Sequence, residues 1–385
     1  MKDALKKEEV RMRKKWLLAA ACAAVIVFFI GIYENAGEIS KPYEEKKEAA
    51  EDVNIIYTNN AGENLNPYDF TLTFAGDINF DEGWYTMKYY NSVENGIYDC
   101  ISPELMQIMQ DADIMCVNNE FTYSTGGAPI NKTYTFRAHP SRVDILKEMG
   151  VDIVTLANNH VYDYGEQALT DTMETLKQAD IFYCGAGRDL YEAMAPVYIE
   201  IDGKTIAYVA ASRAEKNKVT PQATEDSPGI LLCYDTELFI RTIKEAKKNA
   251  DYVIACVHWG TEFTHELEDV QLTTGREYLD AGADAVIGAH PHCLQGIECY
   301  DGKYIIYSLG NFWFNGQDID TMLLNLHFYG DETEEFMEVE VIPALQTYNT
   351  TKFITNQSEK ERIYSLLEDI SVNIEIDDLG IVTEK

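Results

Sequence analysis

Basic residues are scarce in this chain. Only 31 Lys and Arg stand against 65 Asp and Glu over 385 residues, a formal net charge of −34. Nucleic-acid binding begins with cations neutralising phosphates, so this balance argues against nucleic acid as a partner. It fits a partner that is cationic or is reached through bound metal. The eight cysteines include no CxxC pair and no dense spacing, which argues against a disulfide framework. They read as small buried hydrophobes, with a disulfide at Cys293 or Cys299 left open. Ser124 and Ser212 lack the G-x-S-x-G elbow of a serine hydrolase. Gly185-Ala186-Gly187 lacks the strand-to-helix setting of a nucleotide loop and reads as a turn. Internal repeats and low-complexity tracts are missing too. Apolar material is plentiful, with 46% hydrophobic and 11% aromatic residues, enough for a large packed core and against a disordered chain.

One long apolar run stands out. Trp16–Tyr33 holds 18 residues without a charge, about the length that crosses hydrocarbon as a helix. Arg11, Arg13, Lys14 and Lys15 precede it; Glu34, Glu38, Glu44 and Glu45 follow. The positive-inside rule then puts residues 1–15 in the cytoplasm and the rest outside, behind a single transmembrane anchor. A cleaved signal peptide is the alternative, but Glu34 sits where the candidate cleavage site at Ala36 needs a small residue. Cys22 does not suit a lipoprotein, because most of the apolar stretch follows it. Beyond Tyr33 the net charge is −38. Residues 34–69 are polar and patternless and read as a stalk. Residues 70–342 carry the apolar periodicity of the main domain, and 343–385 read as an acidic extension with a helical candidate at Glu361–Asp369.

Inside the main domain, short apolar runs alternate with helical patterns, which predicts an α/β layered fold. The strands are expected at Phe70–Ala75, Ile114–Val117, Ile153–Ala157, Val253–Val257 and Ala285–Ala289. Helices are expected at Pro103–Gln110, Ser141–Met149, Glu166–Gln178, Glu237–Lys248 and Val270–Ala281. Asp202-Gly203 and Asp301-Gly302 each fall between a pair of strand-like runs and predict two-residue hairpins.

The chemistry follows the strands. Asp77, Glu120, Asn159-His160, His258, and His290 with His292 each come directly after a strand-like run. In open α/β folds ligands bind at the carboxyl ends of strands. Carboxylates, an amide and imidazoles converging there suit a divalent ion such as Zn, Mn or Fe. Each residue alone has an ordinary reading: a turn aspartate at Asp77, an edge charge at Glu120, a helix cap at Asn159 with Asp163 or Gly165 serving the turn, a structural imidazole at His258. His290 and His292 are harder to dismiss, since residues i and i+2 share one side of an extended segment. His139 and His265 read as surface residues, and His327 has no obvious partner.

The stretches Phe74-Ala-Gly-Asp77, Asn118-Asn-Glu120, Leu156-Ala-Asn-Asn-His160 with Asp163 and Gly165, His258-Trp-Gly-x-Glu262, Gly288-Ala-His-Pro-His292 and Tyr307-Ser-Leu-Gly-Asn311-Phe312 together resemble the capsule synthesis protein CapA family, also called PgsA-type poly-γ-glutamate synthesis proteins. They span Phe70 to Phe314 in order and spacing. That family is similar to the calcineurin-like metallophosphatases, which implies a four-layer α/β/β/α sandwich with a site for one or two divalent ions. On that resemblance Asp77, Glu120, Asn159, His258, His290 and His292 are metal ligands and His160 is a general acid. Glu262 and Asn311 lie toward substrate. Two departures weaken one metal position: Asn79 stands where the metallophosphatase pattern has His, and Glu120 where it has the bridging Asp. The implied partners are an anionic envelope polymer, poly-γ-glutamate, or its membrane synthase complex. Two functions fit: a metal-bearing module that holds the polymer, and a metal-dependent hydrolase that cleaves a phosphoester or amide in it.

Overall fold

Buried apolar faces on the central strands decide the architecture. In Tyr68–Ile78, Tyr68, Phe70, Leu72 and Phe74 alternate onto one buried face. In the neighbouring Ile114–Asn119, Ile114 and Cys116 join that face while Met115 and Val117 turn to the other. Ile114–Val117 is thus apolar on both faces, as a strand covered on both sides requires.

The computed structural model describes residues 55–57, 67–214, 219–331 and 333–385. These belong to one compact unit, Asn54–Lys385. The expected membrane span Trp16–Tyr33 lies outside the described residues. Among the described residues no helix is long and apolar enough to cross a membrane.

Two large sheets form the centre. The ten-stranded sheet contains the parallel series Tyr68–Ile78, Ile114–Asn119, Ile153–Thr155 and Phe182–Cys184. The seven-stranded sheet contains the parallel series Lys204–Ser212, Tyr252–His258, Ala285–Ala289 and Lys303–Leu309. Their inner faces share one core: Phe70 meets Tyr252 at 6.3 Å between ring centroids, Phe74 meets Tyr208 at 6.3 Å, and the Tyr68 and Tyr252 hydroxyls are 2.7 Å apart. Outside the ten-stranded sheet, helices Pro103–Asp111, Val143–Glu148 and Gly165–Gln178 bury Leu105, Met109, Leu146, Leu169, Met173 and Leu176 against Met115, Val117 and Val154. Outside the other, helices Glu237–Ala246 and Asp269–Asp280 pack through Phe239 and Tyr278, 4.9 Å apart. The layers are therefore α/β/β/α.

Both expected hairpins form. Asp202 and Gly203 have φ of 47° and 74°, Asp301 and Gly302 of 52° and 73°, which is the positive-φ pair a tight two-residue turn requires.

Three expectations are corrected. The stretch 34–69 is not all stalk: Ile55–Tyr57 pairs in parallel with Val197–Ile201, and the strand expected from Phe70 begins at Tyr68. Nor does the fold stop at Ile342. Strand Glu335–Thr347 runs on, Thr350–Phe353 pairs with it, and helix Gln357–Asp369 puts Ile363, Tyr364 and Leu367 into the core between the sheets. The pattern is diluted because these elements bury one face and carry charge on the other. Finally, His327 has a partner, with Nε2 2.7 Å from Asp69 Oδ1. The seven described cysteines, Cys293 and Cys299 included, are buried free thiols.

Candidate metal centre

Tight glycine packing brings the strand ends together. A Cβ on Gly76 would lie 1.9 Å from the Gly310 carbonyl oxygen, and one on Gly288 1.9 Å from the Tyr307 oxygen. Only glycine allows that approach. Asp77 N–H then donates to the Gly310 carbonyl at 2.9 Å, tying the first strand to the segment that carries Asn311.

Glu120 is the hub. It is fully buried, and its Oε1 makes no hydrogen bond among the described residues. Around that oxygen stand three imidazole Nε2 atoms: His258 at 3.6 Å, His160 at 3.9 Å and His292 at 4.0 Å. These distances are too long for hydrogen bonds and leave room between the groups for an ion at about 2.0–2.2 Å from each ligand. Potential ligand atoms fall into two groups that share Glu120: Glu120 with His258 and His290, and Asp77 with Glu120 and His292. Asn159 joins the first through its Oδ1, 2.9 Å from His258 Nε2.

The electrostatics agree with a cation site. Burial, then the charge of Asp77, holds the Glu120 carboxyl well above its usual range. Burial, then the neighbouring His290 and His292, holds His258 well below. A buried acid beside an imidazole kept neutral is a donor set suited to a divalent ion. His290 and His292 have φ of 99° and 58°, so the segment is not extended as expected. The bend divides them between the two groups. Such backbone costs energy and collects at functional sites.

His160 lies beside these groups and belongs to neither. Its Nδ1 is 2.6 Å from Asp163 Oδ2, so Nε2 is the atom turned toward Glu120. Burial lowers its pKa, with Asp163 opposing. Asn311 is buried with Oδ1 2.8 Å from His292 Nδ1, which makes it a support for that imidazole rather than an exposed substrate contact. Glu262 is half-buried on the loop after Trp259, and its charge acts on Glu120. Asn79 is buried with its Oδ1 accepting from Asp81 N–H.

Residues 71–316 match the family described as "Bacterial capsule synthesis protein PGA_cap". The chain belongs to this family. Among curated PGA_cap-type relatives, "PGA biosynthesis protein CapA" of Bacillus subtilis is 34% identical over 279 residues, covering 71% of this chain and 70% of that protein. "Capsule biosynthesis protein CapA" of Bacillus anthracis is 32% identical over 244 residues, 62% of this chain and 58% of that one. Among solved structures, the Haemophilus influenzae NAD nucleotidase is similar with a TM-score of 0.40 at 15% identity, over 82% of this chain and 58% of that chain.

In this PGA_cap chain three residues support the site; Asn118 belongs to a quoted motif, while Lys132 and Phe136 carry no signal in the sequence. Asn118 donates from Nδ2 to Asp77 Oδ1 at 2.8 Å and to Glu120 Oε2 at 3.4 Å, so it aims both carboxylates. Lys132 donates to the Asn159 carbonyl and, at 3.0 Å, to Asp163 Oδ1. Phe136 lays its ring 4.5 Å from His160, and its N–H donates to Asp163 Oδ2 at 2.8 Å. Asn118 opens the motif that ends in Glu120, and only its supporting role was unread. Lys132 and Phe136 sit in a loop with no period and no motif, so nothing local marks them.

Proposed function

We propose that this chain is a membrane-anchored, extracytoplasmic component of capsule or poly-γ-glutamate assembly that carries a divalent-metal site of metallophosphatase type at the carboxyl ends of its parallel strands. One observation carries the metal reading: the buried Glu120 Oε1, without a hydrogen bond, within 3.6–4.0 Å of three imidazole nitrogens. Asp77, Glu120 and His292 would hold one ion, and Glu120, Asn159, His258 and His290 a second. A bound ion there supplies Lewis-acid polarisation and a positive field in a strongly acidic protein. The family and its CapA relatives support the polymer role. The run Trp16–Tyr33 supports the anchor.

The residues divide the work. Asn118 orients the carboxylates, and Asn311 fixes His292 through its Nδ1. Asp163 Oδ2 accepts the hydrogen bond of His160 Nδ1–H, leaving Nε2 turned toward Glu120 and the centre. That last arrangement favours a second reading, a metal-dependent hydrolase of a phosphoester or γ-glutamyl amide in which His160, as the imidazolium that Asp163 favours, gives its Nε2 proton to the leaving group and is left neutral with Nδ1–H on Asp163.

Three measurements test the proposal. Full-length protein purified without chelators is expected to hold Mn, Zn or Fe in stoichiometric amount, and cells lacking the gene to lose surface polymer. Metal-free protein together with normal polymer output refutes it. For the anchor, a C-terminal tag is expected in the membrane fraction and open to external protease; a soluble secreted product starting near Gly37 refutes the anchoring.

A further inference from the structure

An ammonium group stands at the edge of the candidate centre with a donor to spare. Lys132 Nζ donates to the Asn159 carbonyl and, at 3.0 Å, to Asp163 Oδ1. His160 Nδ1 is 3.2 Å away, but its own proton goes to Asp163 Oδ2, so it accepts nothing from the lysine. An ammonium carries three N–H donors. Two are matched by acceptors, and the third meets none among the described residues.

The lysine is placed where an incoming ligand would meet it. Side-chain exposure rises from 0% at Glu120 through 7% at His160 to 12% at Lys132. The loop that carries it is fastened on both sides. Ile130 N–H donates to the Asp163 carbonyl at 2.9 Å, and Phe136 N–H to Asp163 Oδ2 at 2.8 Å. A long, flexible side chain is thereby held in one place.

The charges decide what it takes. The field of Lys132 reaches Glu120, His160 and His258, so a fixed cation sits beside a proposed cation site. Like charges so placed oppose each other. Asp163 cancels this only in part, because its carboxylate is shared with His160 Nδ1–H and Phe136 N–H. An anion lying between lysine and metal is attracted by both and relieves the repulsion. The metal supplies most of that attraction; the lysine adds a directed donor, which fixes where the anion sits. Nearby Arg137 and Arg142 are turned elsewhere, onto the Gly126 carbonyl and the face of Tyr164, and onto Glu82.

A glutamyl chain linked through its γ-carboxyls keeps one free α-carboxylate per residue. Resting on the poly-γ-glutamate reading above, we infer that Lys132 is a specificity contact of the centre, its remaining N–H taking an oxygen of one such α-carboxylate beside His160. Metal binding does not need the lysine, because the Asn159 carbonyl also accepts from Thr220 Oγ1 at 3.1 Å and stays tethered without it.

The test is calorimetric titration of metal-replete full-length protein in detergent with a γ-glutamyl tetramer, and with the same tetramer carrying amides in place of its α-carboxyls. The parent is expected to bind the tetramer. Lys132→Met, close in shape and uncharged, is expected to bind it about tenfold more weakly, the scale of one charge-assisted hydrogen bond, with metal content unchanged. Amidation is expected to weaken the parent about tenfold more than it weakens the variant, whereas a lysine that only braces its loop leaves the two effects equal. Lys132→Gln serves in the same comparison if the Met variant does not fold. No tetramer binding by the metal-replete parent, parent-like binding by the variant, or equal effects of amidation overturns the inference. So does metal lost from the variant in step with tetramer binding, which makes Lys132 a brace for Asn159. Parent protein purified without chelators and found free of metal refutes the proposed centre instead, so the two failures are told apart.

Discussion

Glu120 Oε1 stands 3.6 Å from His258 Nε2, a buried acid and a buried base that face each other without a hydrogen bond between them. A buried carboxyl oxygen with no donor costs stability, and an imidazole kept neutral is ready to ligate. In the proposal above the pair would be ligands of one ion, together with Asn159 and His290.

His258→Ala and His290→Ala are each expected to strip the metal while far-UV circular dichroism stays near that of the parent, since strand-end imidazoles carry little core packing. Adding metal back is expected to raise the melting temperature of the parent and not of the variants; saturation at 100 times Kd is worth about 2.7 kcal/mol. Elemental analysis that finds unchanged metal in both variants would sink the cluster.

His160→Ala is expected to keep its metal and lose function, because His160 lies beside Glu120 and is positioned through Asp163 rather than through a ligand bond. For a hydrolytic reaction the rate loss is on the order of 10²–10⁴. Normal polymer output from His160→Ala, with no turnover of phosphoester or γ-glutamyl substrates by the parent, leaves the polymer-holding module and removes the enzyme.

Gly76→Ala tests the close approach behind Asp77. The added methyl meets the Gly310 carbonyl oxygen at 1.9 Å, so the strand must shift. Overpacking of this sort costs about 1–3 kcal/mol. Urea unfolding is expected to show a lower midpoint at constant slope, and metal content is expected to fall as Asp77 is displaced. A parent-like midpoint contradicts the packing.

Asp152 gives a pH dependence. Burial pushes its carboxyl up to about 6, while its Oδ2 accepts from Met115 N–H at 2.8 Å. Its folded-state pKa lies above the unfolded value of about 3.9, so the native state binds more protons between these values. Its contribution to stability is therefore lost as pH rises from about 4 to about 6. Asp152→Asn keeps an oxygen acceptor and removes the charge. Relative to the parent, the variant is expected to gain stability across that window and hold the gain at pH 7. A difference in melting temperature that stays flat with pH counts against this account.

The strand-to-helix alternation was legible because period-2 and period-3.6 patterns are local. Ile114–Val117 and Pro103–Gln110 needed no distant partner to be read. The ligand types were legible for the same reason: each follows its own strand within a few residues, in a short motif. The region past Ile342 was not, because its elements bury only one face: helix Gln357–Asp369 sinks Ile363, Tyr364 and Leu367 while Glu359 and Glu361 stay exposed, which dilutes the apolar signal.

By itself, the sequence determined that Asp77, Glu120, Asn159, His160, His258, His290 and His292 occupy strand ends of an α/β chain, since backbone periodicity and motif spacing are properties of neighbours along the chain. Only the tertiary structure decided how they meet. It put His292 beside Asp77 across 215 residues, divided His290 from His292 by positive-φ backbone, and turned Asn311 to the back of an imidazole. It also brought Lys132 and Phe136 from a patternless loop onto Asp163. Those relations depend on two sheets packing face to face, and contacts between sheets are set by the closing of the whole core rather than by any local stretch of chain.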